Sequence, residues 1–243
     1  MMRLGLIPRP VALPRLGAVL ATLPDPPQAC NWHALIPLDG DALGNDLHAN
    51  CVECGALRAL QIQRAAVAGD QRKPTADEAL ALYGLWSGFP AQDNGTRSDV
   101  AADRWGHDGI AWGAQYEDVP ALAAIDATNV RHVMQAIATL GPIQLDLALP
   151  LAWEAAKVWD VNTTPEGQPG SWGAHRVCAG RYDATSLYVV TWGEERAITW
   201  AAVGAYRIDA WATATRSWVD VGGKSPAGLS YDALVAQLAE IAT

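Results

Sequence analysis

The 243-residue chain is 50% hydrophobic and 18% charged, a balance that supports a sizeable core and argues against intrinsic disorder. Its 17 basic and 26 acidic residues leave a formal net charge of −9, without the basic stripe that proteins binding double-stranded nucleic acid carry. Proline, aspartate or arginine interrupts every apolar run before it is long enough to cross a bilayer. We therefore predict a soluble, acidic, globular protein that binds neither nucleic acid nor membranes.

Proline punctuates residues 1–43, which we predict to form an extended arm in front of the folded domain. Pro24, Pro26 and Pro27 forbid a helix in this arm, because proline lacks the backbone N–H and restricts the residue before it. Earlier prolines break up the apolar stretch near the N-terminus, so we predict no secretory signal. Four cysteines are too few for a disulfide scaffold in so long a chain, and we expect them to be reduced thiols.

Helical patterns dominate the chain between residues 50 and 140. Apolar residues at helical spacing predict a helix from Asn50 to Gly69, and Thr75 with Glu78 matches a capping box that opens a second helix. Glycine, aspartate and asparagine are frequent in residues 87–115, which we interpret as a long loop with short helical turns. A third helix is predicted over residues 119–140.

Strand patterns dominate the remainder of the chain. Residues 143–149 (IQLDLAL) alternate like a half-buried strand, and strand-like runs follow at 175–180, 187–191 and 197–203, after an irregular segment over 151–170. We expect Asp146 to lie at a solvated strand edge and Arg176 to form a surface ion pair. A helix is predicted over 231–241. Helices followed by strands predict an α+β fold in which the two halves face each other.

Two residues suggest chemistry. Cys51 lies where an irregular segment turns into a helix, and the positive end of the helix dipole favours a thiolate there. His175 enters a strand after a glycine-rich turn. A nucleophile early in the chain and a base late in it fit a thiol–imidazolium pair.

The order and spacing of these elements resemble the papain-like cysteine peptidases. In that family a nucleophilic cysteine opens a long central helix, and Gly-Pro-Val leads into the first strand of the sheet. His-Ala-Val with Gly-Tyr then carries the base, and Asn-Ser-Trp-Gly carries the group that orients it. The matching segments here are, in chain order, Cys51, GPI (141–143), HRV (175–177) with GRY (180–182), and TWG (191–193). The stretch GNDLHANC (44–51) is closer still to papain-like proteins encoded by tailed bacteriophages and prophages.

The resemblance covers about residues 44–211 and implies a papain-like domain over 44–243. It implies a helical half up to about residue 140 and an antiparallel, barrel-like sheet from residue 141 onward. It also implies that Cys51 attacks an acyl carbon while His175 moves the proton. The Cys51 N–H and the side chain of Asn45 would hold the oxyanion.

The chain departs from the family at the orienting group. Val190 or Thr191 stands where the family has asparagine, and we expect neither to hold the imidazole as an amide does. Asn45 is shorter than the glutamine of the family, although it is still an amide donor. Trp192 is expected to shield His175. These departures predict a degenerate Cys–His site.

Two alternative chemistries use the same cysteines. Five possible metal ligands lie within 25 residues and are of types that suit tetrahedral zinc, although their spacing matches no common zinc finger: Cys30, His33, His48, Cys51 and Cys54. A redox pair formed by Cys51 and Cys54 is the other alternative, but the strand that precedes such a pair in thioredoxin-like units is missing.

These observations leave two functional hypotheses. In the first, the protein is a virion-associated structural or assembly component that keeps the papain-like fold and has lost most of its chemistry. Its arm over residues 1–43 would bind other virion proteins or further copies of the chain, in the virion and, during assembly, in the host cytoplasm. In the second, Cys51 and His175 form a working peptidase or amidase with a peptide substrate. Neither hypothesis requires a cofactor.

Overall fold

The structure is a computed structural model that describes residues 2–8, 25–113, 115–117, 121–233 and 235. At its centre lies helix α1 (Cys51–Ala68), which is buried along most of its 18 residues. Asn50 precedes its first turn, and Gly69 ends it in the left-handed conformation (φ 66°) that glycine adopts without strain. The helix predicted from residues 50 to 69 is therefore confirmed.

The other α-helices whose two ends lie within the described ranges pack around the centre of the molecule, and each is shorter than α1. They are α2 (Ala76–Ser87), α3 (Ser98–Asp108), α4 (Val130–Leu140) and α5 (Trp200–Tyr206). The predicted capping box opens α2, because the Thr75 side chain accepts from the Glu78 N–H while the Glu78 carboxylate accepts from the Thr75 N–H. Within the described ranges, no helix combines the length and apolarity needed to cross a bilayer.

The strands found among the described residues form one large sheet and two small ones. In chain order they are β1 (Leu6–Ile7), β2 (Cys30–Asn31), β3 (Thr96–Arg97), β4 (Ile110–Trp112), β5 (Gln115–Glu117), β6 (Ala121–Ala124), β7 (Ile143–Leu149), β8 (Val158–Trp159), β9 (Gly173–Tyr182), β10 (Ser186–Thr191), β11 (Glu194–Thr199) and β12 (Arg207–Ala214). The large sheet has the order β6–β12–β7–β9–β10–β11–β8, with β2 also paired to β9. β1 pairs with β3 in parallel, and β4 pairs with β5.

The α+β class predicted from the sequence is confirmed, and two details of the sheet differ. β8 and β11 are parallel, whereas the other pairs of the large sheet are antiparallel. The described strands form an open path with β6 and β8 at its ends, rather than a closed barrel.

Two apolar clusters make up the core, and the site lies where they meet. One cluster joins the large sheet to α4 and α5 and includes Trp192. The other surrounds α1 with α2 and α3 and includes Cys51. The described parts of the predicted arm lie against this body, since β1 pairs with β3 and β2 pairs with β9.

Three predicted elements are corrected by the structure. Residues 121–124 form a strand, and the helix begins only at Val130, where the Asn129 side chain accepts from the His132 N–H. Within 87–115, α3 forms an ordered helix because its small apolar residues and Trp105 pack into the core. The strand predicted over 197–203 ends at Thr199, which caps α5. Of residues 231–241, those described are helical, and the rest lie outside the described ranges.

Candidate functional site

Cys51 is the first residue of α1 and is almost completely buried, with 1% of its surface exposed. The backbone N–H groups of Arg176 and Gly5 donate hydrogen bonds to its sulfur. Arg176 belongs to β9, which packs along α1. The start of the helix, the sheet and the N-terminal segment therefore meet at this thiol.

His175 lies on β9 beside Arg176 and is held on two sides. Its Nε2 is 2.7 Å from Oγ1 of Thr191, and its ring stacks on Trp192 with 4.5 Å between the ring centroids. Among the described residues, Nδ1 of His175 has no hydrogen-bond partner, so the thiol–imidazole bond is not formed. At position 191 a threonine hydroxyl, rather than an amide, therefore contacts the imidazole.

A tight hairpin places Trp192 over the imidazole. Trp192 and Gly193 connect β10 and β11, and both have positive φ values, 47° and 76°. Positive φ at both central residues is typical of the two-residue turn whose twist matches that of paired strands. The Gly193 carbonyl also accepts from the Gly40 N–H at 3.1 Å, which ties the hairpin to the loop before α1. The shielding role predicted for Trp192 is confirmed.

Asn45 lies close to the thiol. It lines, together with Cys51, Thr191 and Trp192, a cavity of about 20 Å³, which has room for one water molecule or one substrate oxygen. Its Nδ2 donates to the His48 carbonyl oxygen at 3.0 Å, so one of its two amide hydrogens is already engaged. Cys51, Asn45 and Thr191 are therefore brought together around one small space, and Thr191 links them to the histidine.

The N-terminal segment, residues 3–7, covers this site. Its Gly5 donates to the Cys51 sulfur, and the Gly5 carbonyl oxygen accepts from the Thr96 N–H at 2.7 Å. Leu6 is buried in the cluster around α1, and Arg3 forms an ion pair with Asp93 at 3.1 Å. The chain thus holds an extended piece of itself across its own thiol.

Burial keeps both reactive groups neutral. Loss of contact with water raises the pKa of the Cys51 thiol to about 12, which the N–H groups of Arg176 and Gly5 only partly oppose. The same burial lowers the pKa of His175 to about 3. The covered arrangement therefore holds a thiol and an uncharged imidazole near pH 7.

A buried charge pair lies behind the thiol, contrary to what the sequence predicts. Arg176 donates from Nε and Nη2 to the two carboxylate oxygens of Asp146 at 2.5 and 2.7 Å, and both side chains are inaccessible to water. Ser98 adds a third hydrogen bond to the same carboxylate. Asp146 is thus not a solvated edge residue and Arg176 is not a surface cation, because β7 and β9 are central strands covered by α1.

The alternative metal and redox sites find no support. Among the described residues, no three His, Cys, Asp or Glu side chains lie close enough to share a metal ion. His33, one of the candidate ligands, uses Nδ1 for Glu195 and Nε2 for the N–H of Gly180. Cys51 and Cys54 are both free thiols.

Residues outside the sequence motifs also surround the thiol, and no local pattern predicts them. Gly5 and Thr96 meet at the site through the parallel pair β1–β3, which joins positions 90 residues apart. Glu53, fully buried in the first turn of α1, accepts from the Thr96 hydroxyl at 2.6 Å. Only the charge of Glu53 in the otherwise apolar first turn of α1 could have indicated that it has a buried partner.

Comparisons with known proteins identify the fold. No protein-family profile matches the chain, and no curated protein matches it. Among solved structures, the chain is similar to xylellain, a cysteine protease from Xylella fastidiosa, with a TM-score of 0.61 and 13% identity over 87% of this chain and 96% of xylellain.

Two further solved structures are similar at the same level. Procathepsin B S9 from Trypanosoma congolense has a TM-score of 0.60 and 10% identity over 88% of this chain and 86% of its own. The proform of Amb a 11, a ragweed pollen cysteine protease, has a TM-score of 0.59 and 14% identity over 83% and 70%. With identities this low the similarity establishes the architecture alone. The chain has the fold of the papain-like cysteine proteases.

Proposed function

We propose that this chain is a thiol hydrolase of amide bonds, with Cys51 as nucleophile and His175 as the group that moves the proton. The observation that carries the proposal is the way in which neighbouring side chains hold the His175 imidazole. Thr191 holds its Nε2, Trp192 covers its face, and Nδ1 remains unpaired beside the strand residue whose N–H contacts the thiol. An imidazole held through one nitrogen keeps the other nitrogen free to accept a proton.

Cys51, His175 and one water molecule account for every bond formed and every proton moved in the reaction. His175 Nδ1 takes the thiol proton as the Cys51 sulfur forms a bond to the carbonyl carbon of the substrate. The carbonyl oxygen becomes an oxyanion, for which the Cys51 N–H at the start of α1 and the free amide hydrogen of Asn45 are donors of suitable type. The amine leaves with the proton from His175, and water then releases the acyl group and restores the thiol.

The covered arrangement is the resting form in this proposal. Removing the segment over residues 3–7 restores water to the Cys51 thiol, which lowers its pKa. Two of the similar structures are of a procathepsin and a proform, which supports treating a covered thiol as compatible with hydrolase function.

The test is hydrolysis of a fluorogenic peptide library by the full chain, by Gly5→Ala, which weakens the cover, and by the same two proteins with Cys51→Ala. We expect hydrolysis in the Gly5→Ala protein and none when Cys51 is replaced. Cys30→Ala is the matched control, because Cys30 is a free, partly exposed thiol on β2 outside the site. Hydrolysis that survives loss of Cys51, or none by an uncovered protein whose thiol reacts normally, would refute the proposal.

A virion-associated structural role remains the second candidate, and it rests on the resemblance of residues 44–51 to phage proteins. In this reading the arm binds other virion proteins or other copies of the chain. Light scattering of the purified protein distinguishes the two roles. A stable assembly without hydrolysis in any variant would favour the structural role, and a hydrolytic monomer would exclude it.

A further inference from the structure

The gap above Cys51 is too narrow for a side chain. A Cβ atom added to Gly5 would lie 1.7 Å from the carbonyl oxygen of Ala49 and 2.2 Å from its carbonyl carbon. On the other side, a Cβ atom added to Gly95 would lie 2.0 Å from the Gly5 carbonyl oxygen. Both obstacles are backbone atoms, which cannot turn aside as the end of a flexible side chain can.

One polar cluster fixes the width of this gap, because it holds both walls. Asp93 accepts from the Ala49 N–H at 2.8 Å and from the Tyr83 hydroxyl at 3.0 Å. The same Tyr83 oxygen accepts from the Gly95 N–H at 2.9 Å. Moving either wall outward would break a hydrogen bond of the cluster, so the gap does not open to admit a larger residue.

The positions on either side of the glycine do hold side chains. Leu6 is buried among the apolar residues around α1, and Leu4 packs against Gly173 at the start of β9. Arg3 reaches Asp93, which is also the residue that holds the walls. Residues 4–6 therefore outline a cleft that accepts an apolar side chain, then a glycine, then a second apolar side chain.

From this geometry we propose that the cleft selects extended peptides with glycine at the position facing Cys51 and apolar residues on both sides. The chain's own residues 3–7 serve as the template, pairing in parallel with β3. The claim that such peptides are substrates rests on the proposed hydrolase function. The claim that the cleft binds them selectively does not. Glycine is required because any larger residue would overlap the Ala49 backbone.

The first experiment measures the rate at which iodoacetamide alkylates Cys51, read from the Cys51 peptide by mass spectrometry. In the wild-type chain the covered thiol reacts slowly, and Gly5→Ala expels the segment and raises the rate by about tenfold or more. Gly204→Ala is the matched control, since no atom lies within 4 Å of a Cβ atom at that position. An unchanged rate in Gly5→Ala overturns the proposal.

The second experiment measures selectivity in the uncovered protein. The Gly5→Ala protein is mixed with one of two peptides: acetyl-Arg-Leu-Gly-Leu-Ile-amide, or the same peptide with alanine in place of glycine. The rate of Cys51 alkylation is then compared between the two mixtures. We expect the glycine peptide to protect Cys51 at a concentration about tenfold or more below that of the alanine peptide. Leu6→Ala, which loosens the segment by losing a buried side chain, provides a second host if Gly5→Ala does not fold.

Equal protection by the two peptides overturns glycine selectivity whether or not the protein hydrolyses peptides. Selective protection without any hydrolysis in an uncovered variant refutes the hydrolase function and leaves the selective cleft. The two failures are therefore distinguishable.

Discussion

Replacing Asp146 with asparagine tests the buried charge pair behind the candidate nucleophile. The Asp146 carboxylate accepts two hydrogen bonds from Arg176, at 2.5 and 2.7 Å, and one from Ser98 at 3.1 Å. The side chains of Asp146 and Arg176 are 0% and 1% exposed, so water cannot replace a lost partner. Asparagine has nearly the same shape but removes the negative charge.

The size of the effect follows from the charge left behind. A buried cation that loses its counter-ion costs about 3–5 kcal/mol of folding free energy. The Trp211 ring, 4.4 Å from the guanidinium carbon, offsets only about 1 kcal/mol of this. We therefore expect Asp146→Asn to lower the free energy of unfolding by about 2–4 kcal/mol, a large part of the stability of a typical domain.

Urea unfolding of the wild type and two variants measures this difference. The control is Asp108→Asn, which breaks the ion pair between Asp108 and Arg104. The two charged atoms of this pair are 2.9 Å apart, and the Asp108 and Arg104 side chains are 54% and 51% exposed. Because water solvates both of these charges, the control should change the free energy of unfolding by less than about 1 kcal/mol. Equal decreases in the free energy of unfolding for the two variants would show that the buried pair is not maintained in solution, which would refute the prediction.

Three further predictions concern the site and its surroundings. Thr191→Val leaves Nε2 of His175, the proposed base, unpaired and should lower kcat of the proposed hydrolase about 10- to 100-fold, with Thr191→Ser as the control that keeps the hydroxyl. Burial raises the pKa of Glu53 to about 7 from 4.5, so its contribution to stability is complete below pH 4.5 and is lost as the pH rises through 7. In urea unfolding, Glu53→Gln should therefore gain up to about 3 kcal/mol relative to the wild type between pH 4.5 and 8. Gly180→Ala places a Cβ atom 2.9 Å from the His33 ring and should cost about 1–3 kcal/mol in the same assay, whereas Gly204→Ala should not destabilise the protein.

Much of the fold could be predicted because its signals are local. The helix that begins at Cys51, the capping box at Thr75 and the strand over residues 143–149 each follow from spacing within a few residues, and the structure contains all three. Two of the errors arose where a cap decided the boundary. Asn129 and Thr199 each start a helix by accepting a backbone N–H, and these caps override the apolar spacing that predicted a longer helix and a longer strand.

The candidate site was predictable only in part. Order along the chain could name Cys51, His175, Asn45 and Thr191, but it could not show whether a threonine reaches the imidazole. That contact depends on the hairpin at Trp192, whose positive φ sets the direction of the ring, and on the register between β10 and β11. A distance of 2.7 Å between two side chains 16 residues apart is a property of this geometry.

What the sequence determined by itself is the class of fold and the residues that could react, because helical and strand periodicity and motif order are encoded in neighbouring residues. What only the tertiary structure decided is the state of the site. The segment at residues 3–7 covers the thiol, Asp93 holds the two walls of the cleft, and Arg176 and Asp146 are buried behind it. These features join residues from distant parts of the chain, and burial, which sets the charge of Cys51 and His175, exists only once those parts have packed together.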